Sequence, residues 1–359
     1  MKNQTLVLFT LLLFTVSTGV FAQEQQRAAD PIQVIQSQFE SLNHRLDRLE
    51  KMVDDVLWNH NISDVAWMDK VILVGPPPAR VKNQTAMGAK NPVRIYAYIF
   101  IPKQIDRSKK YPLLLLPHGG VHGNFGTYHT HIIRECMAQG YIVAAPEYRG
   151  SNGYGRDMYE QIDYGGLENE DNNVVRDYAV DTYNFVDSDR VGIFGWSHGG
   201  MITLFELFNH PEDYKVGFAG VPVSDLVQRM GYATDEYRKL MSAPYHIGKT
   251  AREDVNEYRK RSPVNHVEKL KTPLLIHSNT NDDDVYVLEV EHLVEALKAA
   301  GKKFEYEIFK EMPGGHSFDR IDIQSSREIR LKIYTFLAEY LKPPFPLKSV
   351  DALIKAGYR

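Results

Sequence analysis

The sequence predicts an α/β fold: a mostly parallel central sheet with helices on both faces, preceded by an N-terminal helix of coiled-coil character. Three observations carry this. Short continuous apolar runs alternate with helix-patterned segments, Gly and Pro punctuate the joins, and a heptad stripe precedes them all. Strands that are apolar throughout need cover on both faces, which flanking helices supply.

The first expected strand is Val71–Val74, closed by Gly75-Pro76-Pro77-Pro78, and the second is Ile95–Ile101, closed by Pro102. Leu113–Leu116, Tyr141–Ala145, Val191–Phe194, Val216–Val221, Leu274–His277 and Phe304–Phe309 follow. Helical periods lie between them at Ile132–Met137, at Val174, Val175, Tyr178, Thr182 and Phe185, at Met201–Phe208, at Glu289–Ala300 and at Ile323–Leu341. Residues 224–266 interrupt the rhythm. They are rich in Tyr, Arg and Met, and read as a cap that shapes a pocket over the strand ends.

Ahead of the sheet, Ile35, Phe39, Leu42, Leu46, Leu49, Val53 and Val56 alternate gaps of four and three. This heptad stripe fits a homo-oligomer seam through residues 35–56, or a helix packed on its own domain. Residues 1–22 read as a secretory signal. Lys2 leads an apolar run from Leu6 to Phe14, and Val20 and Ala22 fit cleavage after Ala22. A retained anchor is the alternative, but Thr10, Thr15, Ser17, Thr18 and Gly19 dilute the run. The expected organisation is a signal at 1–22, a polar segment and heptad helix at 23–60, and one large domain at 61–359. The expected location is periplasmic or extracellular, with no membrane span once the signal is removed.

The 359 residues, 43% hydrophobic and 25% charged, suit one large domain with appendages. A net charge of −4 and no basic stripe interleaved with aromatics argue against a nucleic-acid partner. Cys136 is the single cysteine, so no intrachain disulfide forms. Its neighbours read as a buried helix face, an improbable setting for a catalytic thiol.

A serine hydroxyl becomes nucleophilic when a base lies within hydrogen-bond reach and a carboxylate orients that base. It must also stand clear of the sheet, which a sharp strand–turn–helix with small flanking residues achieves. Gly195-Trp196-Ser197-His198-Gly199 has that form and makes Ser197 the candidate nucleophile. Alone, the motif also fits a tight turn with a structural serine. The acid and then the histidine should follow in the chain. The loop after Leu274–His277 offers Asp282, Asp283 and Asp284. His316, on the Gly-rich loop after Phe304–Phe309, is the candidate base, taking the Ser197 proton and returning it to the leaving group. Pro117-His118-Gly119-Gly120 ends a strand, and glycines admit close approach of backbone N–H groups. Gly119 or Gly120, with the His198 N–H, are the candidate oxyanion donors. His118, His122, His129 and His131 are close in sequence, but His129 and His131 fall on different helix faces and no acid is spaced among them as a ligand. No metal and no cofactor is expected.

These residues resemble the catalytic domain of the prolyl oligopeptidase family (peptidase family S9), closest to its acylaminoacyl-peptidase and dipeptidyl-peptidase V-like branch. The likeness covers Pro92 to Leu341. It rests on Pro117-His118-Gly119-Gly120, on the run from Glu147-Tyr148-Arg149-Gly150-Ser151 to Gly155, on Gly195–Gly200, on Tyr258–His266 and on Gly314-Gly315-His316-Ser317-Phe318. The resemblance implies an α/β-hydrolase fold and a Ser197, Asp282, His316 triad. Its Asp-x-x-Val pattern, counted back from Val285, selects Asp282. The loop is one residue longer than usual, which keeps Asp283 as an alternative. Most relatives carry a β-propeller that gates entry, and residues 23–91 are too few to build one. The expected activity is therefore that of an exported serine-type peptidase cleaving a small peptide through an acyl-enzyme. The layout also resembles stand-alone esterases, so a carboxylesterase or carbohydrate esterase acting on an ester substrate is the alternative. A catalytically inactive binding module is the third reading.

Overall fold

Eight strands form one sheet in the computed structural model, which describes residues 30–80 and 92–358. They are β1 (Ala66–Val74), β2 (Arg94–Pro102), β3 (Tyr111–Leu115), β4 (Ile142–Glu147), β5 (Val186–Trp196), β6 (Val216–Gly220), β7 (Leu274–Asn279) and β8 (Glu305–Phe309). Their order is β1-β2-β4-β3-β5-β6-β7-β8. Only the β1/β2 and β2/β4 pairs are antiparallel, and from β4 to β8 every pair is parallel. Side chains alternate across a strand. Leu113 and Leu115 accordingly enter one core, while Leu114 and Leu116 enter the core on the opposite face. The apolar runs imply a mostly parallel sheet covered on both faces, and this sheet is the α/β-hydrolase fold that the family resemblance implies.

All eight expected strands are present. Two strands begin five residues early: β5 at Val186 rather than Val191, and β1 at Ala66 rather than Val71. The second is an edge strand, and its Trp67 and Asp69 face solvent, so no continuous apolar run marks its first half. The helical spacing that includes Phe185 ends earlier, because the helix Leu167–Thr182 closes at Tyr183. The region 224–266 folds as helices Leu226–Tyr232, Asp235–Ser242 and Val255–Lys260 and a 3₁₀ stretch, Pro263–Lys269. A short helix, Val350–Gly357, was not foreseen.

The chain divides into two compact units, one ending at Leu46 and one beginning at Asp47. In the first, residues 31–46 are helical and none is buried. The same helix, Pro31–Ile62, continues into the second unit and buries Lys51, Trp58 and Ile62 there. The boundary expected at residues 60/61 thus falls inside the helix. Residues 1–22, read as a signal, lie outside the described residues. Among the described residues, no helix is long and apolar enough to cross a membrane.

Lys51 and Trp58 bind the helix into the second unit. Trp58 stacks on Phe125 with centroids 5.5 Å apart. Lys51 Nζ donates to the Phe125 carbonyl at 2.7 Å and lies 2.6 Å from Glu147 Oε1. Both ion-pair partners are buried, and removing one leaves the other as an uncompensated charge. Lys51→Met should therefore lower the unfolding free energy by about 3–5 kcal/mol, read by urea denaturation. Lys51→Met with Glu147→Gln should recover much of this, and equal losses in the single and double variants would contradict the pairing.

Glu206, on the helix His198–Asn209, is fully buried. Its Oε2 accepts from the Tyr214 hydroxyl at 2.8 Å, and burial pushes its pKa from 4.5 up to about 8. The folded state therefore holds a proton that the unfolded chain has released. The stability this contributes is present below pH 4.5 and is lost as pH rises toward 8. Glu206→Gln removes the titration. Its melting temperature should gain on wild type as pH rises through this window and then level off. Parallel curves would refute this.

Candidate active site

Ser197 stands between the last residue of β5 and the first residue of the helix His198–Asn209. Its backbone, φ 60° and ψ −123°, is one that a residue with a Cβ adopts only under constraint. Three backbone bonds supply the constraint. Ser197 N–H donates to the Gly220 carbonyl at 2.9 Å, and the Ser197 carbonyl accepts from Met201 N–H at 3.0 Å and from Val223 N–H at 3.3 Å. The flanking glycines are demanded by contact. A Cβ on Gly195 would lie 2.5 Å from the Gly199 carbonyl oxygen, and one on Gly199 would lie 2.3 Å from the Pro117 carbonyl oxygen.

Asp282 and His316 follow β7 and β8. His316 Nδ1 lies 2.8 Å from Asp282 Oδ2 and 3.0 Å from Oδ1. Asp282 Oδ1 also accepts from the N–H groups of Asp284 and Val285, each at 2.9 Å, so this buried carboxylate is held from the backbone side as well. An imidazole that donates from Nδ1 to a carboxylate keeps Nε2 as its proton acceptor. Asp283 is exposed and does not take this position, so the geometry separates the two acids that the motif left open. Ser197 and His316 line one cavity of about 250 Å³, together with Gly119, Gly120, Trp196 and Arg320.

Gly119 abuts the nucleophile. A Cβ there would lie 3.0 Å from the Trp196 carbonyl oxygen and 3.4 Å from Ser197 Cβ. The turn is braced from behind. Burial pushes His118 down to about 3, so its ring is neutral. Its Nδ1 lies 2.9 Å from the Gly119 carbonyl oxygen and its Nε2 2.9 Å from the Ser151 hydroxyl oxygen. Tyr148 donates to the His118 carbonyl at 2.9 Å, and the Gly120 carbonyl lies 3.1 Å from His198 Nδ1. The histidines weighed as metal ligands go separate ways. His122 stacks on Tyr159 and faces the Gly150 carbonyl, His129 stacks on Phe125, and His131 stacks on Tyr358.

Three residues of the site, Asn279, Arg320 and Arg229, had no sequence signal, and Asp284 was offered only as a candidate acid. Asn279 ties the acid loop to the base loop. Its Nδ2 donates to the carbonyls of Met312 at 3.0 Å and Gly315 at 3.1 Å, and its Oδ1 accepts from Met312 N–H at 3.0 Å. Arg320 donates to the His316 carbonyl, and its guanidinium lies 5.5 Å from the Trp196 ring centroid. Asp284 Oδ2 lies 3.8 Å from His316 Nε2, while its Oδ1 accepts from Arg229 at 2.5 Å. Burial pushes the Asp284 carboxyl up, but Arg229 and then His316 outweigh it and hold it below the ordinary carboxylate range. Arg229 comes from the cap region. With Tyr232, Thr234 and Tyr237 it lines a second cavity of about 320 Å³, of which Asp283 and Asp284 form the other wall.

A serine held on a strand–helix elbow at the C-terminal edge of a parallel sheet, with acid and histidine on the loops after β7 and β8, defines a serine hydrolase of the α/β-hydrolase fold. The pattern of the prolyl oligopeptidase family matches residues 128–344, and the chain belongs to that family of serine peptidases. It is 26% identical over 301 residues to an acylamino-acid-releasing enzyme of Arabidopsis thaliana, covering 80% of this chain and 39% of that one. It is 29% identical over 213 residues to an uncharacterised peptidase of Bacillus subtilis, covering 59% of this chain and 32% of that one. Among solved structures, it shares the fold of the Pyrococcus horikoshii acylaminoacyl peptidase with a TM-score of 0.63 at 21% identity, over 82% of this chain and 46% of that one. The chain thus spans less than half the length of each of these relatives.

Proposed function

We propose that this chain is an exported peptidase that cleaves amide bonds of short peptides through an acyl-enzyme. The observation that carries the reading is that His316, 2.8 Å from Asp282, lines the same cavity as Ser197. His316 Nε2 takes the Ser197 proton as Oγ attacks the scissile carbonyl. Asp282 holds the ring in the required tautomer and stabilises the imidazolium. The charge that develops on the substrate oxygen is received by the N–H of His198 and by the Gly119–Gly120 turn. His316 then gives the proton to the leaving amine, and water repeats the sequence to release the acyl group. Export rests on the signal-like run at residues 1–22, and N-terminal sequencing of the protein recovered outside the cytoplasm, expected to start at Gln23, tests it.

The substrate class rests on family membership. The decisive assay sets peptide anilides and N-acylated peptides against simple and sugar esters, each with wild type and Ser197→Ala. The proposal expects amide cleavage that Ser197→Ala abolishes. Ester turnover with no cleavage of any peptide amide would overturn it in favour of an esterase.

A further inference from the structure

The helix Pro31–Ile62 buries Lys51, Trp58 and Ile62. Its heptad stripe, from Ile35 to Val56, does the opposite, and each of its residues is 46–71% exposed. Single exposed apolar side chains are ordinary, but a contiguous stripe over six turns is not. The 3.5-residue spacing has a specific meaning. It keeps one seam aligned with a partner helix along its whole length, whereas a face packed on a globular core is wider and follows a 3.6 period. Packing within the domain is therefore not the fate of this stripe: Lys51 and Trp58, which the domain takes up, lie on the side away from the seam. The first unit adds a second argument. Residues 31–46 bury no side chain.

The charges name the occupant. With Phe39, Leu46 and Val53 at position a, and Ile35, Leu42, Leu49 and Val56 at position d, Arg45 falls at g and Glu50 at e. In a parallel, in-register pair, g faces the e position of the next heptad on the second copy. Arg45 then meets Glu50 of the second copy, twice by symmetry. The next such pair is apolar, Met52 with Leu57, and both are exposed. A lipid surface fits less well. The helix carries five acids (Glu40, Asp47, Glu50, Asp54 and Asp55) to three bases, whereas helices that lie on membranes have basic polar faces. We propose that the chain forms a parallel, in-register homodimer through the Ile35–Val56 seam, so that two catalytic units share one two-stranded coiled coil.

The full chain, measured by size exclusion with light scattering, should show twice the mass of a single chain. Leu42→Glu with Leu49→Glu should return it to the single-chain mass while the melting temperature of the catalytic unit stays in place, since both side chains are exposed. Arg45→Glu should raise the dissociation constant by about tenfold, and adding Glu50→Arg should restore it. Val56→Cys tests the direction. Cys136 is buried, so oxidation should join Val56→Cys chains in pairs only where the two ends lie together. In an antiparallel pair they would lie about 30 Å apart. A monomeric or trimeric wild type, flotation of monomers with phospholipid vesicles, failure of the double charge swap to restore affinity, or absence of the Val56→Cys disulfide would each overturn the proposal.

Discussion

Ser197→Ala is expected to lower kcat by about 10⁴- to 10⁶-fold while substrate binding and the fold survive. The substitution removes only the hydroxyl. Alanine keeps the Cβ, so the constrained φ of 60° and its three backbone bonds are carried by the same local structure. The cavity keeps its Gly119–Gly120 wall. What disappears is the covalent route, so a small residual rate from oxyanion stabilisation and binding is the most that remains. Steady-state kinetics with a peptide anilide, alongside thermal melting, separates this from misfolding. A loss of less than tenfold with an intact fold would remove Ser197 from the chemistry.

Asp282→Asn should cost about 10⁴-fold in kcat, because an amide reverses the hydrogen bond to the ring. The carboxylate accepts the His316 Nδ1 proton, whereas an asparagine amide would donate to Nδ1 and move the ring proton to Nε2. The ring would then present a donor where a base is needed. The loop should survive, since the asparagine Oδ1 still accepts from the N–H groups of Asp284 and Val285. Asp283→Asn is the control. That side chain is exposed and lines the second cavity, so its loss should change the rate little. Ser197→Ala and Asp282→Asn together should be no slower than Ser197→Ala alone, because residues acting as a unit are not additive. If Asp283→Asn instead caused the large loss, the acid would have been wrongly assigned.

What the sequence made legible here is local. The elbow at Ser197 is a five-residue pattern, and its glycines answer to contacts with Gly199 and Pro117. The continuously apolar strands follow from burial on both sheet faces. Contacts between distant segments were not legible. Asn279 reaches across to Met312 and Gly315, and Lys51 pairs with Glu147, yet nothing in either neighbourhood marks a partner. Arg229, on the helix Leu226–Tyr232, meets Asp284 on the loop after β7, far away in sequence. The heptad pattern showed a seam but not which side of the helix the domain would take. That choice is made by Trp58 and Lys51, whose partners Phe125 and Glu147 come from other elements. The helix Val350–Gly357 is a different case. Ser349 caps it by accepting from Ala352 N–H at 3.1 Å, a start signal that was readable but short.

The two cavities share Asp284, so the cavity that Arg229, Tyr232 and Thr234 line adjoins the one that holds Ser197. Replacing Tyr232 or Thr234 at the cap is therefore the place to look for altered preference among substrates, with the chemistry at Ser197 unchanged.

The most direct test of the account is covalent labelling by a fluorophosphonate, read by intact mass and by peptide mapping. The account expects one adduct per chain on Ser197, none on Ser197→Ala, and much slower labelling of Asp282→Asn and of His316→Ala. An unlabelled wild type, or an adduct on any other residue, would contradict it.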